Sequence, residues 1–98
     1  LVLDALGKDG VIINIARGSV IDEPALIGAL QHRSIAGAGL DVFEGEPNID
    51  PAFSKLDNVV LYPHLASGTV ETRDAMAQLV IDNLNAWDER GELITPII

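Results

Sequence analysis

The stretch Val11-Ile12-Ile13-Asn14-Ile15-Ala16-Arg17-Gly18 decides the fold. Its first six residues are nearly all apolar and mostly β-branched, preceded by Gly10 and closed by Arg17-Gly18. A short apolar run without alternation suits a strand covered on both faces, as in a parallel sheet. Downstream, Asp22-Glu23-Pro24 reads as a helix start. Asp22 can cap, Glu23 sits at the positive end of the dipole, and Pro24 is tolerated in the first turn. Leu26, Ala29 and Leu30 then recur at helical spacing, giving a helix of roughly 11 residues. Ala36-Gly37-Ala38-Gly39-Leu40-Asp41-Val42 follows as a second buried strand, whose small residues would let the helix approach the sheet.

Further out the pattern continues. A polar loop from Phe43 to Asp57 holds Gly45, Pro47 and Pro51, and Asn58–Tyr62 forms a third strand ending at Pro63-His64. A long amphipathic helix covers about Val70 to Arg90, with Met76, Leu79, Val80, Leu84 and Trp87 on one stripe and Gly91 as its stop. The tail, Glu92 to Ile98, is apolar enough to need a surface to pack on. Strand, helix, strand, loop, strand, helix is the order of the α/β class with a parallel sheet. Three strands make a poor free-standing sheet.

Composition narrows the function. The chain has 98 residues, no cysteine, and 6 Lys+Arg against 15 Asp+Glu, for a net charge of −9. Such a balance repels phosphate backbones, arguing against nucleic acid. There is no basic cluster for an anionic membrane surface, and no run approaching the ~18 to 20 apolar residues that cross a bilayer. Zero cysteines exclude a disulfide framework and a thiolate metal site, and no metal is expected. The start Leu1-Val2-Leu3-Asp4 lacks an initiator Met and a basic leader, so it reads as a chain cut within a larger protein, cytoplasmic by default.

Ligands of open α/β sheets bind beyond the carboxyl ends of the strands. That rule selects Arg17 after the first strand, Asp41 and Glu46 after the second, and His64 after the third. Each has a plainer reading. Arg17 could be a salt-bridge partner, Glu46 a solvated loop acid, and His64 a capping or interface histidine. Asp41 could close its strand by bonding nearby amides. His32, near a helix C-terminus, reads as surface. Taken together the set describes a job. A carboxylate beside an imidazole favours its protonated, proton-donating form. A guanidinium binds a substrate carboxylate bidentately, which Lys does less well. These groups suit reduction of a 2-keto acid, with the hydride supplied by a nicotinamide cofactor.

Three blocks carry a family resemblance. Leu6-Gly7-Lys8-Asp9-Gly10-Val11-Ile12-Ile13-Asn14-Ile15-Ala16-Arg17-Gly18-Ser19-Val20-Ile21-Asp22-Glu23 is the first. Ala36-Gly37-Ala38-Gly39-Leu40-Asp41-Val42-Phe43-Glu44-Gly45-Glu46-Pro47 and Pro63-His64-Leu65-Ala66-Ser67 are the others. In this order they resemble the D-isomer-specific 2-hydroxyacid dehydrogenases. Ala66 to Arg73, with Leu93-Ile94-Thr95-Pro96, looks most like the glyoxylate/hydroxypyruvate reductase branch.

The resemblance implies a fold, a site and an activity. Residues 1–66 would be the C-terminal part of a Rossmann-like, doubly wound dinucleotide-binding domain. Residues 67–98 would be a terminal helix and tail returning to a substrate domain outside this chain. Arg17 would bind substrate, His64 donate the proton, and Glu46 pair with His64. The related formate dehydrogenases carry glutamine at the Glu46 position, so a carboxylate favours keto-acid reduction. Cofactor contacts would be Ile15, Ala16 and Arg17 beside the nicotinamide, Asp41 near its carboxamide, and His64, Leu65, Ala66 and Ser67 around the ring. The cofactor would be NADP or NAD, with the branch leaning to NADPH, and the intact protein a homodimer. The Gly-x-Gly-x-x-Gly loop is missing, and Gly37-Ala38-Gly39 does not replace it, lying in a strand without the third Gly. The isolated 98-residue piece, being half a site, is expected to be inactive. Corepressors of the carboxy-terminal-binding type share these residues, so a dinucleotide-sensing interaction module is the alternative.

Overall fold

The computed structural model describes residues 1–97. The chain divides into two compact units, Leu1–Ala66 and the residues from Ser67 on. In the first, a short helix α1 (Val2–Leu6) leads through Gly7 into β1 (Val11–Asn14). A 3₁₀ turn at Gly18–Val20 and helix α2 (Glu23–Gln31) connect it to β2 (Gly37–Leu40), and a second 3₁₀ segment (Pro51–Lys55) precedes β3 (Val59–Leu61). The three strands form one parallel sheet in the order β1-β2-β3, with Ile13, Gly39 and Val60 in one row. Sequence reasoning missed α1 and both 3₁₀ segments; α1 has no capping side chain and no buried residue to signal it.

Local chemistry explains the borders. The apolar run leaves the ladder at Asn14, earlier than Ala16, because the Asn14 side chain captures the Ala16 amide and turns the chain. At α2, Asp22 Oδ1 accepts from the Ala25 amide at 3.1 Å, with Pro24 in the first turn. At its other end His32 sits on the surface, with Nδ1 donating to the Gly28 carbonyl at 2.7 Å.

The core lies on one side of the sheet. Leu26, Ile27 and Leu30 of α2 pack with Ile35, Ala38, Leu40, Phe43 and Phe53. Phe53 is wholly buried, its ring 5.7 Å from that of Phe43 in an edge-to-face arrangement. The segment from Phe43 to Asp57 is therefore not the polar loop its composition suggested. It contributes two aromatic anchors, each stabilising by ~2 kcal/mol or more on burial.

Two further expectations need correction. Ile13 and Val60, at 65% and 64% exposure, stand on an open sheet face, so β1 is covered on one face only. The connecting helix α2 lies on the core side, and apolar composition alone cannot tell one covered face from two. Of the small residues of β2, Ala38 faces the core shared with α2, whereas the two glycines serve the neighbouring strands. A Cβ on Gly39 would lie 2.8 Å from Ile13 Cδ1, and one on Gly37 2.8 Å from the Asn58 carbonyl oxygen.

The second unit is helix α3 (Val70–Arg90) and a tail. Thr69 caps the helix by accepting from the Thr72 amide at 3.1 Å, and Gly91 ends it in the left-handed conformation. Its stripe, Met76, Leu79, Val80, Leu84 and Trp87, is exposed. The tail returns to its own helix through Asn83, whose amide accepts from the Thr95 N–H and donates to Thr95 Oγ1, both at 3.0 Å. Ile98, the last residue of that apolar tail, lies outside the described residues. Among the described residues, no helix is long and apolar enough to cross a membrane.

Candidate active site

Parallel strands point their carboxyl ends at one edge, so the loops after β1, β2 and β3 share it. After β3 the chain reaches His64 in the left-handed region, φ 59°. That conformation costs a non-glycine residue about 1 kcal/mol or more. It is held by a partner: His64 Nδ1 lies 2.7 Å from Glu46 Oε2. An ionised carboxylate only accepts, so Nδ1 carries a hydrogen and donates, and Nε2 is left for chemistry. The other Glu46 oxygen accepts from the Phe43 amide at 2.8 Å. The hydrogen bond from His64, then that amide, hold the Glu46 carboxyl below its ordinary value of 4.5.

Asp41 follows β2 and is buried. One oxygen accepts from the Leu65 amide at 2.9 Å and the other from the Ala66 amide at 3.0 Å. Burial pushes its carboxyl up, but the Ala66 and Leu65 amides and the nearby His64 outweigh that and bring it below its ordinary value of 3.8. Asp41 thus fixes the two residues after His64. Glu46, Asp41 and His64 form one hydrogen-bonded arrangement joining the loops of β2 and β3.

Arg17 stands on the same edge after β1, with β2 lying between that strand and β3, which leads to His64. Its Nη1 donates to the Ala16 carbonyl at 2.6 Å, and it makes no salt bridge among the described residues. A guanidinium beside its own backbone keeps most of its donors for an incoming anion. Ile15 and Ala16, beside it, are exposed; Ser67 begins the second unit. No group of three metal-ligating side chains occurs among the described residues.

Three residues shape this edge through contacts that the sequence did not reveal. Asn14 is 5% exposed; its Nδ2 donates to the Arg17 carbonyl at 3.0 Å and its Oδ1 accepts from the Ala16 amide at 3.1 Å. Glu23, at the start of α2, is buried and accepts from the Glu44 amide at 2.8 Å. Gly18 lies against the Phe43–Glu44 peptide, where a Cβ would overlap backbone atoms of both residues. The available signals were faint: a polar residue inside an apolar run, and a glycine directly after the candidate arginine. A cleft of about 630 Å³ opens beside the pair, lined by Glu46, His64, Phe43, Ile49, Leu61 and Tyr62 among others.

Residues 2–66 match the family model described as "D-isomer specific 2-hydroxyacid dehydrogenase, NAD binding domain". A 2-ketogluconate reductase of Gluconobacter oxydans is 64% identical over 96 residues, which are 98% of this chain and 31% of that protein. A glyoxylate/hydroxypyruvate reductase of Arabidopsis thaliana is 54% identical over 97 residues, 99% of this chain and 31% of that protein. Among solved structures, an NADPH-dependent glyoxylate/hydroxypyruvate reductase of Sinorhizobium meliloti, in complex with NADP and malonate, superposes with a TM-score of 0.82. It is 58% identical, over 98% of this chain and 30% of that one. The chain therefore spans a little under a third of the relatives it matches.

Proposed function

Since the chain belongs to the D-isomer specific 2-hydroxyacid dehydrogenases, we propose that the whole protein reduces a small 2-keto acid, glyoxylate or hydroxypyruvate, to the D-2-hydroxy acid. The observation that carries this reading is the 2.7 Å contact between His64 Nδ1 and Glu46 Oε2, with the exposed Arg17 on the same edge. Arg17 receives the substrate carboxylate in a bidentate fork. The Glu46 carboxylate steadies the imidazolium of His64, and Nε2 gives its proton to the carbonyl oxygen as that oxygen becomes an alkoxide. The ring then takes a proton back from solvent.

NADPH supplies the hydride when bound. The residues present fit the nicotinamide end of that cofactor. Ile15 and Ala16 offer exposed apolar surface to a flat ring, with Arg17 beside them. Asp41 faces the edge with a carboxylate, a natural acceptor for a carboxamide. His64, Leu65 and Ala66 stand on the same side of that ring. The phosphates would rest on residues other than these, because no glycine-rich loop opens a helix here. Residues 67–98 return to the substrate domain, and the protein acts in the cytoplasm as a homodimer.

The test is the intact protein with hydroxypyruvate and NADPH. Arg17→Lys keeps the charge but removes the fork, and raises KM for hydroxypyruvate by about tenfold or more while turnover falls less. Unchanged KM and turnover would contradict the anchor role. Absence of turnover in the unaltered protein would favour a dinucleotide-sensing module instead.

A further inference from the structure

The keto-acid anchor needs an orienting group, and the structure assigns that role to Asn14: we infer that Asn14 is a positioning residue that sets the direction of Arg17. This rests on the reading of Arg17 as the carboxylate anchor. The peptide unit before Ala16 and the one after Arg17 are both tied to a single side chain, which brackets the Ala16–Arg17 segment. Asn14 Oδ1 accepts from the Ala16 N–H, and Asn14 Nδ2 donates to the Arg17 carbonyl. With both ends of the Ala16–Arg17 segment held, the direction in which the Arg17 side chain leaves the backbone is restrained before any ligand arrives. The partners also settle the amide's orientation, since only its oxygen can face an N–H and only its nitrogen a carbonyl.

Asn14 is itself firmly placed. It is 5% exposed, pairs with Leu40 in the sheet, and its backbone carbonyl accepts from the Asp41 amide at 3.0 Å. Asp41 in turn holds the Leu65 and Ala66 amides next to His64. A line of hydrogen bonds therefore runs from Arg17 through Asn14 and Asp41 to the residues that follow His64. One polar residue within an apolar strand is costly to bury unless both its donor and its acceptor are used, and here both are. Aspartate has the same shape but lacks the donor, and would set an oxygen against the Arg17 carbonyl. Alanine lacks both bonds.

A double-mutant cycle in the intact protein tests the assignment, reading KM for hydroxypyruvate, kcat, and the dissociation constant of NADPH. Asn14→Ala raises KM by roughly 10- to 100-fold, the cost of displacing a binding group by up to about an ångström, while NADPH affinity changes less. On an Arg17→Ala background the same change adds little, because the group it orients is gone. Asn14→Asp, folded to the same far-ultraviolet dichroism as the unaltered protein, also raises KM, and serves alone if Asn14→Ala fails to fold. Multiplying penalties in the double variant, or an Asn14→Asp protein with unaltered KM, would overturn the role of Asn14 and leave Arg17 as the anchor. An Arg17→Ala protein with unaltered KM would overturn both assignments.

Discussion

Glu46 divides its two oxygens between a backbone amide and an imidazole, and that division makes it sensitive to acid. Its carboxyl lies below 4.5 in the folded protein, chiefly through the hydrogen bond from His64, and that of Asp41 lies below 3.8. As pH falls, the unfolded chain takes up these protons first, so both groups stabilise the fold fully above those values. The stabilisation is lost as pH drops through and below them. Glu46→Gln removes one of the two contributions. Urea unfolding should show the variant less stable than the parent at about pH 7, with the gap narrowing toward about pH 3. A gap that stays constant over that range would show that the ionised carboxylate adds nothing.

At the scale of elements, the site is made by loops leaning on one another. The turn after β1 and the loop after β2 meet at Gly18, and Glu23 fastens the same loop from the start of α2. Gly18→Ala forces backbone apart and should destabilise the protein by about 2 kcal/mol or more. Thermal unfolding checks this, and an unchanged Tm would mean the two loops can separate freely. Most of this architecture was legible. The β-branched run, the Asp22-Glu23-Pro24 start and the amphipathic Val70-to-Arg90 span with its Gly91 stop mark their elements because propensity and capping act locally. Arg17, Glu46 and His64 could be selected because strand ends are where polar loops gather. The hidden parts depend on contacts between segments distant in sequence. Nothing near Phe53 reveals that it would be the most buried ring, and nothing near Glu23 points to Glu44. Asn14 escaped because a lone amide in a strand looks like a propensity defect until both its partners are seen.

At the scale of the molecule, charge and size give the site its logic. The net charge of −9 makes this chain's own field repulsive to anions at long range, so under the proposed function the attraction for a keto acid comes from the local Arg17 guanidinium. The chain spans under a third of its relatives' length, and it exposes the Ile13–Val60 row and the α3 stripe. We read these apolar surfaces as those that meet the rest of the protein, whose walls exclude water around the reacting carbonyl. On the proposed mechanism His64, held by Glu46, donates the proton. Steady-state turnover of hydroxypyruvate by the intact His64→Ala protein tests it most directly. Loss of the proton donor lowers kcat by ~10²- to 10⁴-fold, the usual contribution of a positioned general acid. Near-parental turnover in that variant would contradict it.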